Sequence, residues 1–178
     1  MFKKALLTLF AIVALFLGYV AMQPANAPIA RSATLAASPA AIFPHINDLH
    51  KWQAWSPWAK LDPNSKSTFE GPEAGVGSAM TWAGNDDVGE GKMTVVESVA
   101  NDHVKIRLDF VKPFAGTSFA TLSLKPDGEK TNVTWSMVGE NPSYLSRVMC
   151  TLFNANKMVG GMFEKGLANL GEVAAGKG

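Results

Sequence analysis

Cysteine is all but absent from this chain, Cys150 being the single one among 178 residues. A lone thiol excludes an internal disulfide and leaves too few sulfur ligands for a zinc or iron-sulfur cage, so packing must hold the fold together. An excess of one charge is missing too: 16 basic and 15 acidic residues leave a formal net charge of +1. A balance of that kind creates no field to draw the protein onto a polyanion, and nucleic acid is not an expected partner. The histidines His45, His50 and His103 lack the His-x-x-x-His or His-Glu-x-x-His spacing of a metal-binding helix. No metal or other cofactor is expected. Gly91-Lys92 has no glycine five residues before it and is followed by Met93, not by Ser or Thr, so it is not a phosphate loop. A Gly-x-Ser-x-Gly elbow for acyl transfer is also absent. Gly84-Asn85-Asp86-Asp87 lacks the spaced acidic ligands and closing glutamate of a calcium loop and reads as a hairpin turn.

What is present is an apolar chain, 47% hydrophobic and 17% charged, with room for one sizeable core. Its N-terminus stands apart. Lys3 and Lys4 precede 18 uncharged residues, Ala5 to Met22, in which only Thr8 and Tyr19 carry polar side-chain groups. A spanning helix needs roughly 17 to 25 residues, whereas the apolar region of a signal peptide runs to roughly 7 to 15. Length favours an N-terminal transmembrane helix. Ala25-Asn26-Ala27 resembles a signal-peptide cleavage site, although Pro28 behind it is expected to hinder a peptidase. Residues 1–28 are therefore read as an anchor, or alternatively a signal peptide, with Gln23 to Pro28 as a tether to a domain at 29–178. With both lysines ahead of the span, the positive-inside rule keeps the N-terminus in the cytoplasm. The expected location is the cytoplasmic membrane, single-pass, with the domain periplasmic or extracytoplasmic.

Within the domain, Ile29 to Ala37 predicts a first strand, and Ser38-Pro39 reads as a helix N-cap followed by proline at the first helical position. Ile42, Phe43 and Ile46 share one face of the helix that follows. Asn47-Asp48 ends it and caps a second turn carrying Leu49 and Trp52. From Ser67 the pattern becomes alternation: Ser78, Met80 and Trp82 share a face, and Val104, Ile106, Leu108 and Phe110 alternate with Lys105, Arg107 and Asp109. Turn residues then separate strands near 91–99, 103–112, 117–125 and 130–138. In the last, Val133, Trp135 and Met137 alternate with Asn132, Thr134 and Ser136. After Asn141-Pro142-Ser143 the period turns helical through Leu145, Val148, Met149, Leu152 and Phe153. It falters at 154–157 and resumes through Met158, Val159, Met162, Phe163, Leu167 and Leu170, which predicts a short helix and then a long one. The class is α+β, with a curved six- to seven-stranded antiparallel sheet around the long C-terminal helix.

That order of elements resembles the helix-grip, or SRPBCC, superfamily, which includes steroidogenic lipid-transfer domains, the birch pollen allergen and aromatase/cyclase proteins. Ser38-Pro39 before Ile42-Phe43, Asn47-Asp48, Trp55-Ser56-Pro57-Trp58, Gly71-Pro72 with Gly75-Val76-Gly77, and Phe163-Glu164-Lys165-Gly166-Leu167 look like bacterial members of the polyketide cyclase/dehydrase kind. The likeness covers roughly residues 30–172. It implies a fold and a pocket for a small hydrophobic molecule, lipid-like or aromatic. It implies no catalytic motif, because members range from carriers to enzymes.

With a pocket implied, alternation directs Trp82 and Trp135 toward the helix, where Met80, Phe110, Met137, Met158 and Met162 are expected to join them as lining. The same residues would also fill an ordinary core. Trp52, Trp55 and Trp58 recur at every third residue, a set that either floors a ligand site or closes the end of the core. Glu97 is the candidate polar pocket residue, since Met93 and Val95 share its face while Val96 competes for burial; Arg107 is placed on the outer face. His50 and Asp48, two apart on a helix, are expected to point to different sides, and Cys150 is expected to be an inert thiol. No catalytic residue is assigned. The leading expectation is a membrane-tethered binding domain for a hydrophobic ligand. A cyclase- or hydrolase-type enzyme using the same pocket and an envelope structural protein with a filled core are the alternatives.

Overall fold

Residues 2–22, 28–140, 144–152 and 154–176 are described by the structure, a computed structural model. The tether at 23–27 and the Asn141-Pro142-Ser143 start signal lie outside them, as do the side chains of Leu145, Met149 and Phe153. The elements are α1 (Phe2–Met22), β1 (Ile29–Leu35), α2 (Pro39–Asn47), α3 (Trp52–Trp55), β2 (Lys66–Glu70), β3 (Ala79–Ala83), β4 (Glu90–Val99), β5 (His103–Lys112), β6 (Gly116–Asp127), β7 (Lys130–Gly139), α4 (Tyr144–Leu152) and α5 (Ala155–Ala174). The seven strands form one antiparallel sheet in the order β1-β7-β6-β5-β4-β3-β2. Strands β2 to β7 are a meander, so each hairpin pairs with its neighbour in sequence. Strand β1 alone crosses over, pairing Ile29 with Met137 and Leu35 with Thr131. This is the helix-grip arrangement, with the concave face of the sheet closed over α5.

The local signals explain most of these boundaries. Ser38 Oγ accepts the Ala41 N–H at 3.3 Å and Pro39 occupies the first helical position of α2. The first strand ends at Leu35, two residues short of Ala37, whose carbonyl instead accepts the buried Thr131 hydroxyl at 2.7 Å. Asn154 starts α5 from a left-handed conformation with φ 47°, its side chain accepting the Lys157 N–H at 3.2 Å. Strand β4 carries a bulge between Val95 and Glu97. On the outer face the polar residues pair, Ser32 with Thr134 across β1 and β7 at 2.8 Å and Arg107 with Asp109 along β5 at 2.9 Å.

The core lies between the inner sheet face, α5 and the corner made by α2 and α3. Phe163, Leu167 and Leu170 of α5 are buried, as are Ile42, Ile46 and Leu49 of the corner. Trp55 locks the corner by donating its indole N–H to the His45 carbonyl at 2.9 Å. Helix α5 sits unusually close to its neighbours. A Cβ at Gly166 would stand 2.6 Å from Trp135 Cζ3 and 3.1 Å from Pro57 Cδ, so only glycine fits that contact. Arg31 of β1 ties down the same helix, donating to Glu164 at 2.7 Å and to the Asn156 carbonyl at 3.0 Å. Leu152, expected on the apolar stripe of α4, is 58% exposed, while Val148 is half-buried. That helix rests against the end of α1, where Tyr144 and Arg147 donate to the Leu17 and Val20 carbonyls. Helix α1 is long and apolar enough to cross a membrane, and its apolar side chains are exposed apart from the half-buried Phe16 and the buried Val20.

Neighbouring glycines of α5 offer a test of this close seating. Nothing stands within 4 Å of a Cβ at Gly161, so Gly161→Ala is expected to gain about 1 kcal/mol from helix propensity. Gly166→Ala should lose about 1–2 kcal/mol, the strain of displacing Trp135 and Pro57 outweighing that gain. Denaturant unfolding measures both, and equal gains would mean that the helix does not press on Trp135.

Candidate functional site

Residues placed opposite one another on the concave face explain why the core is not filled. Gly91 stands between Trp82 and Phe110 across three strands, and Ala120 stands between Ile106 and Met137. Glycine there lets the Trp82 and Phe110 rings meet edge to face at 5.8 Å, since a Cβ would lie 2.5 Å from Trp82 Cη2. Small side chains at the middle of the sheet leave a cavity of about 550 Å³ under α5. Its floor is Met80, Trp82, Met93, Ile106, Leu108, Phe110, Ala120, Trp135 and Met137 of the sheet, and its roof is Val159 and Phe163 of α5. Trp52 and Trp58 close one end.

Apart from the Trp82–Phe110 pair, the aromatic side chains at the cavity form one cluster around Trp135. Trp135 stacks on Phe163 with 4.3 Å between centroids and 9° between planes, and the rings of Trp52, Trp55 and Trp58 meet it edge-on at 5.3–5.9 Å. The Trp135 indole nitrogen is buried and has no hydrogen-bond partner among the described residues.

The mouth is polar. Gln53 donates to Ser67 Oγ at 3.3 Å, and Ser65 donates to the Ala83 carbonyl at 3.3 Å. Asp62 accepts the Asn64 N–H at 2.9 Å on one oxygen and the Asn85 N–H at 2.8 Å on the other, which fastens the 57–65 loop to the β3–β4 hairpin. The Trp82 indole donates to the Val88 carbonyl on the same hairpin at 3.3 Å.

Of the residues expected from sequence, Met80, Trp82, Phe110, Trp135 and Met137 line this cavity together. Met158 does not: it is 63% exposed, and Met162 is half-buried and off the lining. Helix α5 is rotated by one residue from the methionine stripe, so that Val159 and Phe163 face the sheet. Two apolar stripes run side by side along this helix, and Gly160 and Gly166 mark close approaches to the Arg31 guanidinium and to the Trp135 and Pro57 rings. Glu97 is also elsewhere. The bulge inserts Val96, which reverses the alternation after Val95, so Ser98 turns inward to Asn47 at 2.6 Å and Glu97 faces solvent. There it pairs with His103 Nε2 at 3.1 Å. The three-residue tryptophan repeat divides: Trp55 is wholly buried in the corner, while Trp52 and Trp58 reach the cavity. His50 and Asp48 do meet, Nδ1 to Oδ1 at 3.1 Å, contrary to expectation. Helix α2 has ended at Asn47, and in the turn that follows the Asp48 carboxylate also accepts the His50 backbone N–H at 2.9 Å. This pair lies off the cavity lining, with the His50 ring stacked on Phe69 at 4.0 Å. Asp62, Gln53, Val159 and Phe163 were missed by sequence reasoning. Only the Phe163, Leu167, Leu170 spacing carried a signal for the last of these.

A curved sheet gripping a helix over an apolar cavity with a polar mouth defines a helix-grip protein of the SRPBCC class, a fold of ligand-binding or cyclase-type domains. The family model for "Polyketide cyclase / dehydrase and lipid transport" matches residues 27–175, and the chain belongs to that family. No curated protein matches it. Among solved structures it is similar to a protein of Nitrosospira multiformis, with 19% identity, a TM-score of 0.58 and coverage of 82% of this chain and 94% of that one. It is also similar to the Aha1 dimer of Colwellia psychrerythraea, with 18% identity, a TM-score of 0.57 and coverage of 85% and 99%. DynU16, a protein of the dynemicin biosynthetic locus, aligns at 10% identity and a TM-score of 0.58, covering 84% of this chain and 48% of its own. At these identities the likeness shows the fold alone.

The histidines outside the cavity report their surroundings. The hydrogen bond to Asp102, at 2.7 Å, and then Glu97 hold His103 above its ordinary value of 6.5, while burial and then Lys51 hold His45 below it. The fold favours protonated His103, so its contribution to stability is complete below pH 6.5 and is lost as pH rises through the raised folded value. His45 runs the other way, its contribution being lost as pH falls from 6.5 toward the lowered value. Titration of the imidazole resonances by NMR should give midpoints on opposite sides of 6.5, with Glu97→Gln lowering the His103 midpoint only.

Proposed function

We propose that this protein is a membrane-tethered binding domain that holds one small hydrophobic molecule, lipid-like or aromatic, between sheet and helix. Residues 1–28 serve as anchor and tether, and residues 29–178 are the binding domain on the extracytoplasmic side. The observation that carries the reading is the cavity of about 550 Å³, within the range of about 300–1,000 Å³ typical of small-molecule sites and apolar except at its mouth. The lipid-transport part of the family description supports the same reading. Helix α1 supplies a reason for a lipid-like ligand, because a domain tethered to a bilayer works where such molecules concentrate. The cyclase or hydrolase alternative would have one carboxylate to draw on at this cavity, Asp62, whose oxygens both accept backbone N–H groups.

The full chain, purified from its host membrane into nanodiscs, should carry a stoichiometric apolar molecule, identified by native mass spectrometry and extraction. Ala120→Phe, which puts a ring on the cavity floor between Ile106 and Met137, should remove that molecule while the protein remains folded. A protein that arrives empty and binds no fluorescent apolar probe would sink the reading. Location has its own test, since Cys150 is the single cysteine and is exposed on α4. In intact spheroplasts a membrane-impermeant maleimide should label it without permeabilisation, and labelling only after lysis would place the domain inside the cell.

A further inference from the structure

The charge at the cavity is one-sided. Among the described residues that line it, Asp62 is the only ionisable side chain and no lysine, arginine or histidine contributes. Both carboxylate oxygens are held in place by backbone N–H groups, yet each keeps a lone pair for a further donor. Trp58 and Trp82 line the same cavity. Trp58 stands one turn earlier, its carbonyl accepting the Leu61 N–H at 3.0 Å, and Trp82 belongs to the hairpin that Asp62 fastens. Lys60 and Lys66 are neighbours in sequence, but both are exposed and neither lines the cavity. Asp86 and Asp87 of the hairpin are exposed, and Asp86 acts on Lys112, which is itself off the cavity lining.

Resting on the reading of this cavity as a binding site, we infer that its ligand is a cationic amphiphile, an organic ammonium whose charged end lies at Asp62 and the Trp58 and Trp82 rings and whose apolar body fills the chamber beneath. An ammonium there gains from a fixed carboxylate and from aromatic faces, both of which attract a cation. A fatty acid or other carboxylate in the same position meets a like charge with no cation to neutralise it. The arrangement therefore selects by head group as well as by apolar bulk.

Three dansyl probes of equal alkyl chain length, ending in trimethylammonium, hydroxyl or carboxylate, test this on the full chain in nanodiscs. Energy transfer from the cavity tryptophans to dansyl reports binding, with empty nanodiscs correcting for partition into lipid. The ammonium probe should bind about tenfold more tightly than the hydroxyl probe, and the carboxylate probe weakest of the three. In Asp62→Asn the advantage of the ammonium probe over the hydroxyl probe should fall to about twofold, the hydroxyl probe serving as the reference for any change at the rim. A carboxylate or hydroxyl probe that binds as well as the ammonium probe overturns the inference and leaves the cavity reading standing, as does an ammonium preference that survives Asp62→Asn. If none of the probes binds, the cavity reading falls and the inference with it. The ranking in the unaltered protein decides the matter even if Asp62→Asn fails to fold.

Discussion

The stacking of the Trp135 indole on the Phe163 ring, 4.3 Å apart and nearly parallel, is the contact on which the rest of the structure depends. It fixes which side of α5 faces the sheet, and it does so at a point where Gly166 allows the helix to touch the indole edge. Trp52 and Trp55 of the helical corner and Trp58 just after it then close around that pair, so the corner, strand β7 and α5 share one aromatic cluster. Large flat rings suit this role because they bury much apolar area with few torsions to order.

The cavity follows from what the cluster does not fill. Aromatic rings gather at two places on the concave face, Trp135 with Phe163 and Trp82 with Phe110 over Gly91, while Ala120 is the small residue of the floor between Ile106 and Met137. A sheet that curves around a helix leaves room between them unless large side chains take it up, and here they do not. The mouth is closed by a different kind of interaction. Asp62 joins a loop to a hairpin through two backbone N–H groups, which holds the rim without consuming apolar surface. One carboxylate thereby shapes the opening and sets its charge.

The described histidines, and the described carboxylates other than Asp62, lie off the cavity lining. The bulge in β4 sends Glu97 to the surface beside His103 and Asp102, and the Asp48–His50 pair caps a turn over Phe69. These groups are joined by short hydrogen bonds and are placed to steady turns and strand ends. The family to which the chain belongs spans cyclase and lipid-transport members, and in this member the described polar groups at the cavity are those of its mouth.

By itself the sequence determined the class of fold and most of its elements, because alternation along Val104 to Phe110 and Val133 to Met137, the helical period after Tyr144, and the turn residues between strands are all set by near neighbours. It determined as well that α1 is apolar throughout and that Met80, Trp82, Phe110, Trp135 and Met137 share the concave face, since a strand offers only two faces. A helix offers more. Whether Met158 and Met162 or Val159 and Phe163 would face the sheet was decided by the fit of Gly166 against Trp135, a contact between residues distant in the chain. The bulge at Val96, which turned Glu97 outward, likewise exists only once β4 pairs with β5. The place of Asp62 at the cavity mouth was decided by a hydrogen bond to a backbone N–H 23 residues away. Periodicity records where a side chain points relative to its own element, while the choice among equally apolar faces and the meeting of loops are settled by packing between elements.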